Sequence, residues 1–149
     1  MSVVTTDILI KGHRREDVLE WFGQSDNHDT ILQGAFDEVK RTSPTTWELT
    51  VKTTPKNRVI TYTFERLDRD HRGRRVLCTT SGRRVDGKLH YSLRTPRATH
   101  DTLITLVMDY EPGGLMGRVV DSAGLRQALD VALTKVLENA QRALYATTA

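Results

Sequence analysis

The last third of the chain constrains the fold most. From Thr102, Ile104, Leu106, Met108 and Tyr110 alternate with Leu103, Thr105, Val107 and Asp109, the period of two that marks a β-strand. After Tyr110-Glu-Pro-Gly-Gly-Leu-Met-Gly the period changes. Leu125, Leu129, Ala132, Leu133, Val136, Ala140 and Leu144 recur at helical spacing, while Arg118, Asp121, Arg126, Asp130, Lys135, Glu138 and Arg142 lie mostly off that stripe. The pattern predicts one helix from near Leu115 or Gly117 almost to Ala149. About 30 residues at 1.5 Å rise give roughly 45 Å, enough to cross a small domain. Gly124 costs about 1 kcal/mol against alanine inside a helix. Its presence predicts either close packing at that point or a helix that starts in two pieces.

Strand patterns fill the chain ahead of this helix. Val4, Thr6, Ile8 and Ile10 alternate up to Gly12, which breaks the run. Val18, Leu19 and Phe22 then fall at helical spacing, with Glu16 and Asp17 where the helix dipole favours acids. Asp26 is placed to cap a second short helix carrying Ile31 and Leu32, ended by Gly34. Ala35 to Thr42 is a weakly patterned strand. Trp47, Leu49 and Val51 mark a clear half-buried one, as do Ile60, Tyr62 and Phe64. Val76, Leu77 and Cys78 lie on the next strand, and Asp86-Gly87 reads as a hairpin turn before Leu89, Tyr91 and Leu93. The final strand, from Leu103 to Met108, is apolar on both faces, which predicts a central position. A curved antiparallel sheet of about seven strands, two short helices and one long C-terminal helix make an α+β helix-grip fold.

At 149 residues the chain reads as one domain, 1–149, large enough for a real core. Charged residues are 28% and the net charge is +3, which excludes a disordered chain. No apolar run reaches the roughly 20 residues of a membrane span. The first residues show no basic n-region followed by a long apolar stretch, so no secretory signal is read and a cytoplasmic location is expected. The lone cysteine, Cys78, cannot form an internal disulfide.

The order of elements, with Arg15-Glu-Asp-Val-Leu-Glu-Trp-Phe, Arg75-Val-Leu-Cys-Thr-Thr-Ser-Gly and Leu103-Ile-Thr-Leu-Val-Met-Asp-Tyr-Glu-Pro-Gly-Gly, resembles the START/Bet v 1-like (SRPBCC) superfamily. It is most similar to the bacterial polyketide cyclase/dehydrase and lipid transport branch. The resemblance covers nearly the whole chain and rests on element order. It implies a cavity for hydrophobic or aromatic molecules. Members share a container and no catalytic motif, so no catalytic residue is carried over.

On parity, Trp47, Leu49, Tyr62, Phe64, Tyr91, Leu106, Met108 and Tyr110 share the concave face of the sheet, opposite Leu125, Leu129 and Leu133. Most are expected to be plain core. As a ligand wall they would offer apolar surface with a few polar tips. Trp21 and Phe22 are placed to guard one mouth, and Met116 to gate access. Parity turns Asp109 away from Met108 and Tyr110.

His13, His28, His71, His90 and His100 show no metal-ligand spacing, and all five are assigned to solvent or local hydrogen bonds. Neither a metal site nor a cofactor motif is read. Pro112-Gly113-Gly114 is a turn that aims the helix, not a phosphate loop. Cys78 is expected to be a buried, inert thiol. Arg66, Arg69, Arg72, Arg74, Arg75, Arg83 and Arg84 crowd one hairpin, interleaved with Glu65, Asp68, Asp70 and Asp86. That is the pattern of a solvated edge.

Three functions follow. The first is binding of a lipid, quinone or aromatic polyketide without catalysis. The second is a polyketide cyclase or dehydratase, which needs a titratable group in the cavity. The third is an RNA, ribosome or membrane contact through the arginine hairpin, with nucleic acid the less favoured partner. Ligand identity and oligomeric state stay open.

Overall fold

The computed structural model describes residues 2–53, 56–69, 74–82, 85–97, 99–111 and 114–147, without the side chains of 114–123. The elements run β1 (Ser2–Ile10), α1 (Arg15–Phe22), α2 (Ser25–Leu32), β2 (Glu38–Ser43), β3 (Thr46–Val51), β4 (Arg58–Asp68), β5 (Arg74–Ser81), β6 (Asp86–Arg94), β7 (Thr102–Glu111) and α3 (Gly114–Ala146). The strands form one antiparallel sheet in the order β1-β7-β6-β5-β4-β3-β2. Register shifts between Phe64 and Arg66, and between Arg41 and Ser43, add bends of the kind that curve a sheet around a helix.

Alternation works as the sequence predicts. On β7, Thr102, Ile104, Leu106, Met108 and Tyr110 are buried while their neighbours are half-buried. Its place between β1 and β6 explains why both faces are apolar near the middle. Asp109 does point away from Met108 and Tyr110, opposite Val3 and Lys88 in the register.

Helix α3 is 33 residues long, about 50 Å. Leu125, Leu129, Ala132, Leu133, Val136, Ala140 and Leu144 are all buried, and Leu137 joins them. Each fully buried leucine or valine contributes roughly 1.5–3 kcal/mol relative to exposure. Four side chains tie the C-terminal half down. The Thr134 and Thr6 hydroxyls bond at 3.2 Å, and Gln141 donates to the Leu9 carbonyl at 2.9 Å. Asn139 donates to the Ile31 and Gln33 carbonyls at 3.0 and 3.1 Å. Tyr145 Oη accepts from the Lys11 amide at 3.0 Å. The helix is continuous through Gly124, where an added Cβ meets nothing within 4 Å. Neither close packing nor a break explains that glycine.

Three local expectations need correction. Asp86-Gly87 is not a turn. Both residues lie in β6, with Gly87 opposite Tyr110, and a Cβ on Gly87 would overlap the Asp109 carbonyl. The glycine therefore serves close approach of two strands. The cap of α2 is Gln24, with Asp26 in the first turn, where it still faces the positive end of the helix dipole. β2 starts at Glu38, later than read, because the Ala35–Asp37 stretch is a connection that turns at Gly34, with φ +79°.

Candidate functional site

The first half of the site is a buried aromatic cluster at the centre of the sheet. β3 presents Trp47, β4 presents Tyr62 and Phe64, β5 presents Cys78 and β6 presents Tyr91. Helices α1 and α2 add Phe22 and His28. His28 stacks on Phe64 with centroids 4.4 Å apart, Phe22 lies 4.7 Å from Tyr91, and Trp47 meets Tyr62 edge-on at 5.7 Å.

A hydrogen-bonded chain threads this cluster. His28 Nε2 lies 2.7 Å from the Phe22 carbonyl oxygen. A carbonyl only accepts, so Nε2 carries the proton. Burial, the dominant cause, lowers the His28 pKa from 6.5 to about 4, and the Arg41 charge adds to it. The ring is therefore neutral near pH 7, and bare Nδ1 accepts from Tyr62 Oη at 2.7 Å. With its hydrogen so committed, Tyr62 Oη accepts from Tyr91 Oη at 3.0 Å and from the Cys78 thiol at 3.4 Å. Burial raises both tyrosine pKa values well above the usual phenol range and pushes Cys78 up to about 12. All three stay protonated, and Cys78 is the inert thiol the sequence predicts. A second polar link runs from Trp47 Nε1 to Asp29 Oδ1 at 3.0 Å. The Arg41 guanidinium sits 5.1 Å over the Trp47 ring and bonds Asp26 at 2.8 Å.

The second half is the space between the sheet and α3. It narrows to a cavity of about 10 Å³, room for roughly one water molecule. The sheet supplies Leu49, Ile60, Tyr62, Thr80, Leu89, Tyr91 and Met108. The helices and the α2–β2 connection supply Leu129, Leu133, Val136, Leu32 and Phe36. Of the residues the sequence places on a ligand wall, Leu49, Tyr62, Tyr91, Met108, Leu129 and Leu133 line it. Trp47, Leu106, Tyr110 and Leu125 are buried beside it and Phe64 is half-buried. Met116 lies outside the described side chains, and so does the proposed hinge at Pro112 and Gly113.

A surface groove of about 360 Å³ lies next to the cavity. Ala35, Asp37, Thr50 and Lys52 line one side, and Gly124, Gln127, Ala128 and Val131 the other. Phe36 lines both the groove and the cavity. The sequence reading passed over it because it falls in a weakly patterned segment. Phe22, expected at a mouth, is fully buried and packs inside the cluster.

His28 is the other residue the reading missed. It is fully buried, and its bond to Tyr62 is long-range, so the assignment of every histidine to solvent or local bonds is wrong here. The signal was available. His28 lies three and four residues before Ile31 and Leu32, on the same face of α2.

Outside the cluster, Arg69 pairs with Glu20, Arg74 with Glu16 at 2.8 Å, and Arg75 with Asp68 at 2.7 Å. Part of the arginine hairpin is thus neutralised, largely by α1. Arg72, Arg83, Arg84 and His71 lie outside the described residues. Among the described residues no cluster of histidine, cysteine and carboxylate groups has the makings of a metal site, and no helix is long and apolar enough to cross a membrane.

No protein-family model and no curated protein sequence matches the chain. Solved structures do. TTHA0849 from Thermus thermophilus superposes with a TM-score of 0.69 at 10% identity, covering 99% of this chain and 100% of that one. Norcoclaurine synthase from Thalictrum flavum, solved with dopamine and hydroxybenzaldehyde, gives 0.62 at 14% identity over 97% of this chain and 86% of that one. A conserved protein from Geobacillus kaustophilus gives 0.60 at 14%, over 98% and 97%. The fold is Bet v 1-like. At these identities the likeness extends to the architecture alone.

Proposed function

We propose that this protein binds a hydrophobic small molecule, of the lipid, quinone or aromatic polyketide class, between the sheet and α3, without catalysing its conversion. The observation that carries the reading is the position of Phe36. Its half-buried side chain lines both a small apolar cavity and an open groove of about 360 Å³. A ligand entering from the groove would have to displace this side chain to reach the space between the sheet and α3. Burial of ligand surface would supply the affinity, at about 25 cal/mol per Å².

The wall's chemistry favours binding over catalysis. Among its described residues the polar side chains are Tyr62, Thr80 and Tyr91, and none is Asp, Glu, His or Arg. A cyclase or dehydratase needs a group that exchanges protons near neutral pH, and both tyrosines are held far above that range. The ion pairs of Arg69, Arg74 and Arg75 weigh against a polyanion surface on the hairpin. A Bet v 1-like neighbour solved with two aromatic compounds is consistent with an aromatic ligand.

Native mass spectrometry and solvent extraction of freshly purified protein test the reading, alongside melting curves with hydrophobic probes. A bound apolar compound, or a rise in Tm with a probe, is the expected result. If no ligand is extracted and no probe raises the Tm of either the wild type or Phe36→Ala, the reading fails.

A further inference from the structure

Two spaces adjoin Phe36, and their volumes differ widely. The cavity holds about 10 Å³, room for roughly one water molecule. The groove holds about 360 Å³, within the range of small-molecule sites. Its helix side is made by Gly124, Ala128 and Ala132. These recur every four residues and so share one face of α3. Their side chains end at Cβ or lack one, and longer ones would fill the groove. Gly124 thereby gains a use that packing does not give it. A glycine inside a helix weakens it relative to alanine, and an added Cβ here meets nothing within 4 Å. Position 124 trades helix strength for open volume, the usual exchange of stability against function. The groove is also two-natured. Phe36, Val51 and Val131 give it apolar surface, while exposed Asp37, Lys52 and Gln127 line it too. No side-chain hydrogen bond or ion pair ties those three to other described residues.

We infer that the ligand's seat is this groove and that the ligand is an alkyl amphiphile. Its hydrocarbon part lies on Phe36, Val51 and the face of Gly124, Ala128 and Ala132. Its polar end stays in water beside Asp37, Lys52 and Gln127. The inference rests on the container reading above and narrows it, because it keeps the ligand on the groove side of Phe36. Of the three ligand classes, a lipid is the one that divides into these two parts.

Isothermal titration calorimetry with decanoate and with decyl β-maltoside, each below its micelle concentration, tests the inference. Both should bind the wild type within about threefold of each other, since the polar end stays outside. Binding of decanoate without the maltoside shows that the head must be enclosed, and overturns the inference. Gly124→Leu supplies the second arm. It should weaken both compounds about tenfold, the effect of denying a ligand roughly 55 Å² of apolar contact. Its Tm without ligand should equal or exceed that of the wild type, a pairing that a structural role for Gly124 does not produce. Arg126→Leu, on the same helix and outside the groove lining, should leave both affinities within about twofold. Val131→Asp puts a charge on an exposed part of the apolar wall and should weaken both compounds at least about threefold, whatever the stability of Gly124→Leu. Unchanged affinity in Gly124→Leu and Val131→Asp overturns the inference. If neither alkyl compound binds the wild type while another hydrophobic probe raises its Tm, the inference falls and the container reading stands.

Discussion

Lowering the pH from 7 toward 4 should destabilise this protein through His28, and the structure sets the size of the effect. The folded ring has its pKa lowered from 6.5 to about 4 by burial, so between those values the unfolded chain binds a proton that the folded chain refuses. Stability is therefore fully present above pH 6.5 and falls as the pH drops toward 4. Each pH unit inside that window removes about 1.4 kcal/mol. The loss comes to about 2 kcal/mol between pH 7 and pH 5, and about 3 kcal/mol near pH 4. Protonating Nδ1 would also set an N–H against the Tyr62 hydroxyl hydrogen, so the chain through Tyr62 and Tyr91 would have to reverse. Urea unfolding followed by tryptophan fluorescence at pH 7, 6 and 5 measures the slope, with Trp47 as a buried reporter. His28→Gln removes the titrating group. Its absolute stability falls by about 1–3 kcal/mol, because the Tyr62 hydroxyl and Phe22 carbonyl lose their partner, but its pH slope should flatten. His90, half-buried with a lowered pKa, contributes in the same direction in both proteins and cancels in the comparison. Parallel wild-type and variant profiles from pH 7 to 5, or a His28 ring titration by NMR with its midpoint near 6.5, would refute the argument.

Other substitutions probe other parts of the framework. Gly124→Ala should stabilise the fold by about 1 kcal/mol, since the new methyl meets nothing and helix propensity improves; thermal unfolding reads this as a higher Tm. Gly87→Ala should cost at least about 2 kcal/mol, because the Cβ overlaps the Asp109 carbonyl and β6 must shift from β7; chemical denaturation measures the loss. Phe36→Ala should increase the fluorescence and affinity of a hydrophobic probe while shifting the unfolding midpoint only modestly; an unchanged probe signal removes Phe36 from the access route. Cys78 should not react with a thiol reagent in the native state and should react fully once the protein unfolds.

The framework was legible wherever one face of an element meets water. Trp47-Leu49-Val51 and Ile60-Tyr62 announce their strands because the residues between them, Glu48, Thr50 and Thr61, are polar, and the α3 stripe announces its helix the same way. Gly87 misled for a physical reason. Asp-Gly is the chemistry of a tight turn, yet the same missing Cβ also permits two strands to approach, and only the neighbouring chain tells these apart. His28 was missed because α2 is mostly polar, so one imidazole on its inner face looked like part of the wet side. The cavity's closure was not legible at all. It depends on how Tyr62, Tyr91 and Phe36 fill space together, and residue order does not encode that.

The clamp that holds α3 has a consequence for how such a protein can change. Its side-chain ties run from Thr134, Asn139, Gln141 and Tyr145 to Thr6, Leu9, Lys11, Ile31 and Gln33. None of these residues lines the cavity. The hydrogen bonds that fasten the lid and the residues of the wall are therefore separate sets of positions, whereas Leu129, Leu133 and Val136 both pack the lid and line the wall. Substitutions at Leu49, Ile60, Leu89 or Met108 can reshape what is enclosed while leaving those hydrogen bonds in place. A lineage, or an engineer, can accordingly vary the contents while these ties are inherited intact.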